Sequence, residues 1–130
     1  MKNLKCRDVL MLLACALAYL GSGGGAYADG DAARGKQIFK KCAACHSLEA
    51  GKVRIGPPLH GVLGRQAGSV KGFAYSKAMK SAEVVWSGST LDKYLTAPKT
   101  FIPGNRMPFP GLSNEKDRAD LIAYLEQAAR

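Results

Sequence analysis

Apolar side chains fall at helical spacing in three stretches of the chain, separated by segments with no sustained period. In the first, Ile38 and Phe39 lead into Cys42 behind Asp31, a good helix N-cap, and Gly35 leaves room for another backbone to approach. The second begins at Ser89-Thr90-Leu91-Asp92, puts Leu91, Tyr94 and Leu95 on one face, and is expected to end near Pro98. The third is the clearest. Ser113 is its expected N-cap, Glu115 and Asp117 occupy the first turns, and Leu121, Ile122, Tyr124, Leu125 and Ala128 form an apolar stripe running toward Arg130.

Between these helices the pattern breaks down. Residues 50–80 are rich in Gly and Pro and suggest at most a short helix near Ser76 to Lys80. The segment "PKTFIPGNRMPFPG" holds four prolines and two glycines in 14 residues and is expected to be neither helix nor central strand. No strand or internal repeat stands out, so the expected class is all-α, with three or four short helices joined by long loops. These loops are not polar enough for disorder, since Val53, Ile55, Leu59, Val62, Leu63, Phe73 and Tyr75 all need something to pack on. So few helices make a weak core unless a large apolar body fills the centre.

The 130 residues, 47% hydrophobic and 22% charged, suit one domain. Ahead of the first helix, Lys2, Lys5 and Arg7 precede an apolar run from Val9 to Leu20, then Gly and Ser, then Ala26-Tyr27-Ala28. That is the pattern of a secretory signal with an A-x-A cleavage site. The run would measure about 18 Å as a helix, too short for a bilayer core of about 30 Å. Cleavage after Ala28 divides the chain into a signal peptide, residues 1–28, and a 102-residue domain, residues 29–130. "LLAC" ending at Cys15 also resembles a lipoprotein signal, but only Val9 to Leu13 would remain as its apolar run.

Removing the leader takes Cys6, Cys15, Met1 and Met11 with it, leaving Cys42, Cys45, Met79 and Met107. No disulfide framework remains. Net charge falls from +9 to +7, which points to an acidic partner or surface.

Cys42-Ala43-Ala44-Cys45-His46 has the spacing for covalent c-type haem attachment. Positions i and i+3 share a helix face, so both sulfurs can reach the vinyl groups on one porphyrin edge while the next residue brings its imidazole to the iron. Structural zinc would want four ligands, and His60 is the sole other histidine. A thioredoxin-like dithiol would want a preceding strand and an α/β pattern. For the sixth iron position His60, Met79 and Met107 are the neutral candidates. Met107 sits in a loop stiffened by Pro103, Pro108 and Pro110, whereas core filling is the plain explanation of Met79. A thioether opposite histidine raises the reduction potential and leaves oxygen no open site.

These residues closely resemble class I cytochrome c, the mitochondrial-like type found in bacterial periplasm. The resemblance runs from Gly35 to Tyr124 and includes "CAACH", "GPPLHGVLGR", "GFAYS", Trp86, "LDKYLTAPKTFIPGNRMPFPG" and "DLIAYL". It implies one haem c held through Cys42 and Cys45, with His46 and Met107 on the iron. It further implies that Pro57 accepts a hydrogen bond from His46, and that Arg65, Tyr75 and Trp86 surround the haem propionates. Tyr94 is then expected near the Met107 sulfur and Phe109 over the haem face, with Gly35 and Phe39 meeting Tyr124 where the terminal helices cross. Two positions depart from the family pattern: Met79 stands where asparagine is frequent, and Asn105 where threonine is common.

The implied function is a monomeric periplasmic one-electron carrier rather than an enzyme, serving a respiratory or photosynthetic chain. Lys36, Lys40, Lys41, Lys52, Arg54, Lys99 and Arg106 fall at or near the implied haem-edge rim. Its partners would be acidic redox proteins: a quinol:cytochrome c oxidoreductase, a terminal oxidase, a reaction centre or a dehydrogenase. Peroxidase chemistry would require Met107 to leave the iron. Nucleic-acid binding has only the charge in its favour and is opposed by the export signal.

Overall fold

The computed structural model describes residues 30–130. The expected leader, its cleavage site after Ala28, and Cys6 and Cys15 lie outside the described residues. Five helices follow in order: α1 (Ala32–Ala43), α2 (Lys77–Lys80), α3 (Gly88–Thr96), α4 (Pro98–Phe101) and α5 (Glu115–Ala128).

Helix α1 starts where the Asp31 carboxylate accepts the N–H groups of Ala33 and Arg34 at 2.9 and 3.0 Å. The one buried face of α1, carrying Gly35 and Phe39, crosses α5. A Cβ on Gly35 would collide with the Asp120 carbonyl oxygen and the Tyr124 Cβ, so hydrogen at that position is what lets the two backbones touch. Phe39 and Tyr124 close the crossing with ring centroids 5.4 Å apart.

The caps of two helices shift from their expected positions. Helix α5 is capped by Asn114, which accepts the Asp117 N–H at 3.0 Å, and not by Ser113. The Ser113 carbonyl is instead taken by the Arg118 guanidinium, also at 3.0 Å. Helix α3 begins one turn's edge earlier than Ser89, because Ser87 and Thr90 form a reciprocal capping box. The proline-rich segment does contain a helical turn, α4, contrary to the expectation of none. Pro98 stands at N1, where its missing N–H costs nothing and its fixed φ suits the helix.

Residues 44–76 are irregular, as expected, but not loose. Trp86 N–H donates to the Arg65 carbonyl at 2.9 Å and Gly64 N–H to the Trp86 carbonyl at 2.7 Å, and Gln66 and Val85 form an isolated bridge. Among the described residues no strand forms around it. The core joins Phe39, Trp86, Leu91, Tyr94, Leu121 and Ile122 to residues from the loops such as Val62 and Leu112.

Two charged side chains are buried in this small core. Asp120 accepts the Asp31 N–H at 2.7 Å and the Lys116 ammonium at 3.1 Å, with Arg34 3.4 Å away, so it ties the entry of α1 to α5. Burial pushes the Asp120 carboxyl up, but these donors and cations outweigh it and hold it below the ordinary range. Arg118 donates to Asp92 at 2.6 Å and to the Leu112 and Ser113 carbonyls, joining α5, α3 and the end of the proline-rich loop.

Candidate haem site

The end of α1 coils once more beyond its last residue. The Cys42 carbonyl accepts both the Cys45 and the His46 N–H, at 3.0 and 2.9 Å, which keeps two thiols and an imidazole within a single turn. Both cysteines are half-buried. Burial pushes the Cys42 thiol up to about 11, helped by Cys45 and opposed by Lys41. A redox dithiol needs the reverse, a thiol lowered toward neutrality. Among the described residues there is no group of three or more His, Cys, Asp or Glu placed to hold a metal ion.

His46 Nδ1 lies 2.7 Å from the Pro57 carbonyl oxygen, so Nδ1 carries the proton and donates it. The Nε2 lone pair is therefore the one available for a metal. Burial, with the nearby Arg65 charge, lowers the His46 pKa against the opposing effect of the Pro57 bond, keeping the ring in the neutral form that binds metal. Gly56 packs directly on this ring: a Cβ there would lie 2.5 Å from Cε1 and 2.7 Å from Nδ1. The close approach at Gly56 has no signature in the local sequence beyond its place before Pro57.

On the proline-rich loop, Met107 is half-buried, and its sulfur receives the Tyr94 hydroxyl at 3.8 Å. Burial pushes that hydroxyl up to about 12. Trp86 stacks obliquely on Tyr94 at 5.0 Å, and Phe101 meets the same tyrosine edge-on at 6.2 Å. Phe109 lines a surface cleft of about 400 Å³ with Ala97, Lys99, Thr100, Pro108 and Pro110. Met79 is half-buried against the core, and His60 is exposed, with its carbonyl engaged by Arg65.

Arg65 donates to the His60 and Pro58 carbonyls at 2.9 and 3.0 Å. It influences Tyr75 electrostatically, and burial pushes the arginine down and the tyrosine up. Tyr75 also packs edge-on against Phe73 at 4.7 Å.

The sequence matches the family profile described as Cytochrome c over residues 32–129. The chain belongs to the cytochrome c family. It is 56% identical to a cytochrome c of Chlamydomonas reinhardtii over 101 residues, which covers 76% of this chain and 90% of that one. To a cytochrome c2 of Rhodomicrobium vannielii it is 50% identical over 101 residues, 77% of this chain and 81% of the relative. Among solved structures, cytochrome cH from Methylobacterium extorquens superposes with a TM-score of 0.71 at 44% identity, covering 75% of this chain and 98% of that one. With its helical fold, this places the cytochrome in class I.

Haem c, covalently held at the Cys42–Cys45 region, is the cofactor of this cytochrome. The residues present fit it. Two half-buried thiols share one turn, a neutral imidazole keeps Nε2 free, and Gly56 leaves the ring its space. Leu59, Leu63, Met79, Met107 and Phe109 are half-buried apolar groups packed at the margin of the core. They supply the apolar wall that the irregular loops need something to complete. Sequence reasoning missed the approach of Gly56 to the His46 ring, and it marked Asn105 as a departure without the partners of its buried amide, which come together only in the fold.

Proposed function

We propose that this cytochrome is an exported, monomeric one-electron carrier in a periplasmic respiratory or photosynthetic chain, with His46 and Met107 as axial ligands. The family relationship supports electron transfer through haem, whose iron cycles between ferrous and ferric states when bound. The observation that carries the ligand assignment is the pair of oriented donors: His46, aligned by Pro57, and Met107, whose sulfur meets Tyr94. The Pro57 carbonyl raises the basicity of the imidazole by accepting its Nδ1 proton. The Tyr94 hydroxyl engages a sulfur lone pair and steadies the thioether. Arg65, Tyr75 and Trp86 are assigned to the propionates, where a cation and hydrogen-bond donors offset buried negative charge.

Export is supported by the leader ending at Ala28 and by the likeness to a cytochrome c2. Lys40 and Lys41 are exposed in the last turn of α1, beside the thiols, and Lys99 and Arg106 are exposed on the Met107 loop. We assign these four to the rim that meets acidic partners such as a quinol:cytochrome c oxidoreductase, terminal oxidase, reaction centre or dehydrogenase. The protein is not an enzyme in this reading, since peroxidase chemistry needs Met107 to leave and its loop is anchored on both sides.

The visible spectrum of ferric and ferrous holoprotein tests the assignment. Ferrous c-type bands and a weak red charge-transfer band in the ferric form are expected. Loss of the red band in Met107→Ala but not in Met79→Ala assigns the ligand, and the reverse pattern overturns it.

A further inference from the structure

The loop that carries Met107 has few backbone hydrogen bonds of its own, because Pro103, Pro108 and Pro110 have no N–H to give. Helix α4 before it is a single turn, too short to be stable by itself. Asn105 supplies what the backbone lacks. Its side chain is buried, 8% exposed, and all its polar capacity is directed inward. Nδ2 donates to the Pro98 carbonyl at 2.8 Å and to the Ile102 carbonyl at 2.9 Å, while Oδ1 accepts the Met107 N–H at 3.0 Å. One amide thus grips the start and the end of α4 and the backbone of Met107 together.

The next anchor downstream is five residues past Met107, where Leu112 N–H donates to the Leu95 carbonyl at 2.7 Å and Arg118 holds the Leu112 carbonyl. Asn105 is two residues away and bonds Met107 directly. It therefore controls where the sulfur sits more closely than any other polar side chain of the loop. No smaller side chain reproduces this. Threonine has one hydroxyl proton and cannot serve two carbonyls, aspartate keeps the acceptor but has no donor when ionised, and alanine has neither.

We propose that Asn105 is a positioning residue that sets how often Met107 leaves the iron, and hence how readily a small ligand reaches the sixth coordination position. The proposal rests on Met107 being the axial ligand, as assigned above. In the closed loop, removing the amide leaves the Met107 N–H without its partner and the Pro98 and Ile102 carbonyls with only the backbone N–H groups of Ile102 and Asn105, whereas in the open loop water completes all three. An orphaned buried group costs about 1–3 kcal/mol, and about 1.4 kcal/mol is tenfold in an equilibrium. The open fraction should rise by roughly tenfold or more, and the apparent dissociation constant of an exogenous ligand should fall by the same factor.

Imidazole titration of the ferric holoprotein, followed in the visible spectrum, measures this. Asn105→Ala and Asn105→Asp should bind imidazole roughly tenfold or more tightly than wild type, and Asn105→Thr should fall between. Met107→Ala, which has no thioether to displace, sets the upper limit. Ile122→Val, a buried truncation in the core on α5, controls for general loss of stability and should stay within about twofold of wild type. Wild-type affinity in Asn105→Ala and Asn105→Thr, with tightened binding in Met107→Ala, overturns the proposal and leaves the ligand assignment standing. Wild-type affinity in Met107→Ala overturns the assignment itself. Equal tightening in Ile122→Val and Asn105→Ala also overturns the proposal, because the effect would then be general loosening.

Discussion

Replacing Gly56 by alanine adds one methyl group against the imidazole of His46. The new Cβ would sit 2.5 Å from Cε1, 2.7 Å from Nδ1 and 3.0 Å from Nε2, against 3.4–4 Å for an ordinary contact, so ring or backbone must retreat by about 1 Å. Retreat is resisted because Gly56 N–H is bonded to the Cys45 carbonyl at 2.8 Å and the next residue, Pro57, holds the ring through Nδ1. Overpacking of this kind costs about 1–3 kcal/mol, and weakening the His46–Pro57 bond adds about 1 kcal/mol. Alanine restricts the unfolded chain and recovers about 0.4–1 kcal/mol. The net loss of about 1–3 kcal/mol should lower the guanidinium midpoint of the holoprotein by roughly 0.5–1 M.

Stability alone does not isolate the ring, so the reduction potential is the second measurement. A weaker Pro57 bond makes the imidazole a poorer donor and the ferric state less stable, so the potential should rise. A differential effect of about 0.5 kcal/mol corresponds to roughly 20 mV for one electron. Gly51→Ala is the comparison: its φ of +71° strains alanine, but nothing lies within 4 Å of the new Cβ. It should lose stability with no change in potential. If Gly56→Ala leaves both midpoint and potential at wild-type values, the ring has room and the steric reasoning is wrong.

Arg118→Ala should lose about 2–3 kcal/mol in urea unfolding, because the Leu112 and Ser113 carbonyls and Asp92 lose a shared buried donor. Asp120 has a depressed pKa, so its contribution is complete above the ordinary carboxylate range near pH 4 and is lost as pH falls through the lower, folded-state value. Thermal unfolding against pH should therefore show a shallower acid limb in Asp120→Asn than in wild type, and parallel limbs would exclude the clamp as the source. Met79→Asn puts a dipole in place of a half-buried thioether and should lower the midpoint potential by favouring the more charged ferric state; an unchanged redox titration would remove the idea. Electron transfer to an acidic partner should slow with added salt, and less steeply once Lys40 and Lys41 are replaced by glutamate.

The terminal helices, the haem motif and the Met107 loop could be read from the chain because each rests on local rules: period, caps, a fixed i, i+3 spacing of thiols, proline stiffness. The same locality explains the errors. Ser113 and Asn114 are both competent caps, and the choice fell to Asn114 in a fold where Arg118, five residues on, takes the Ser113 carbonyl. Proline density argued against any helix after Pro98, yet one turn forms there with its first and last carbonyls held by Asn105.

What the sequence by itself determined is the chemistry: which side chains are competent to bind haem and in what order they come along the chain. Which groups actually face one another was decided by tertiary structure. Nothing in the local pattern marks Arg118 and Asp120 as buried; the crossing of α1 and the docking of α3 enclose them. Likewise, no local signal marks Gly56 as the position against which the His46 ring is laid. Burial and close approach are properties of pairs distant in sequence, and in a chain with so little regular structure no local period records them.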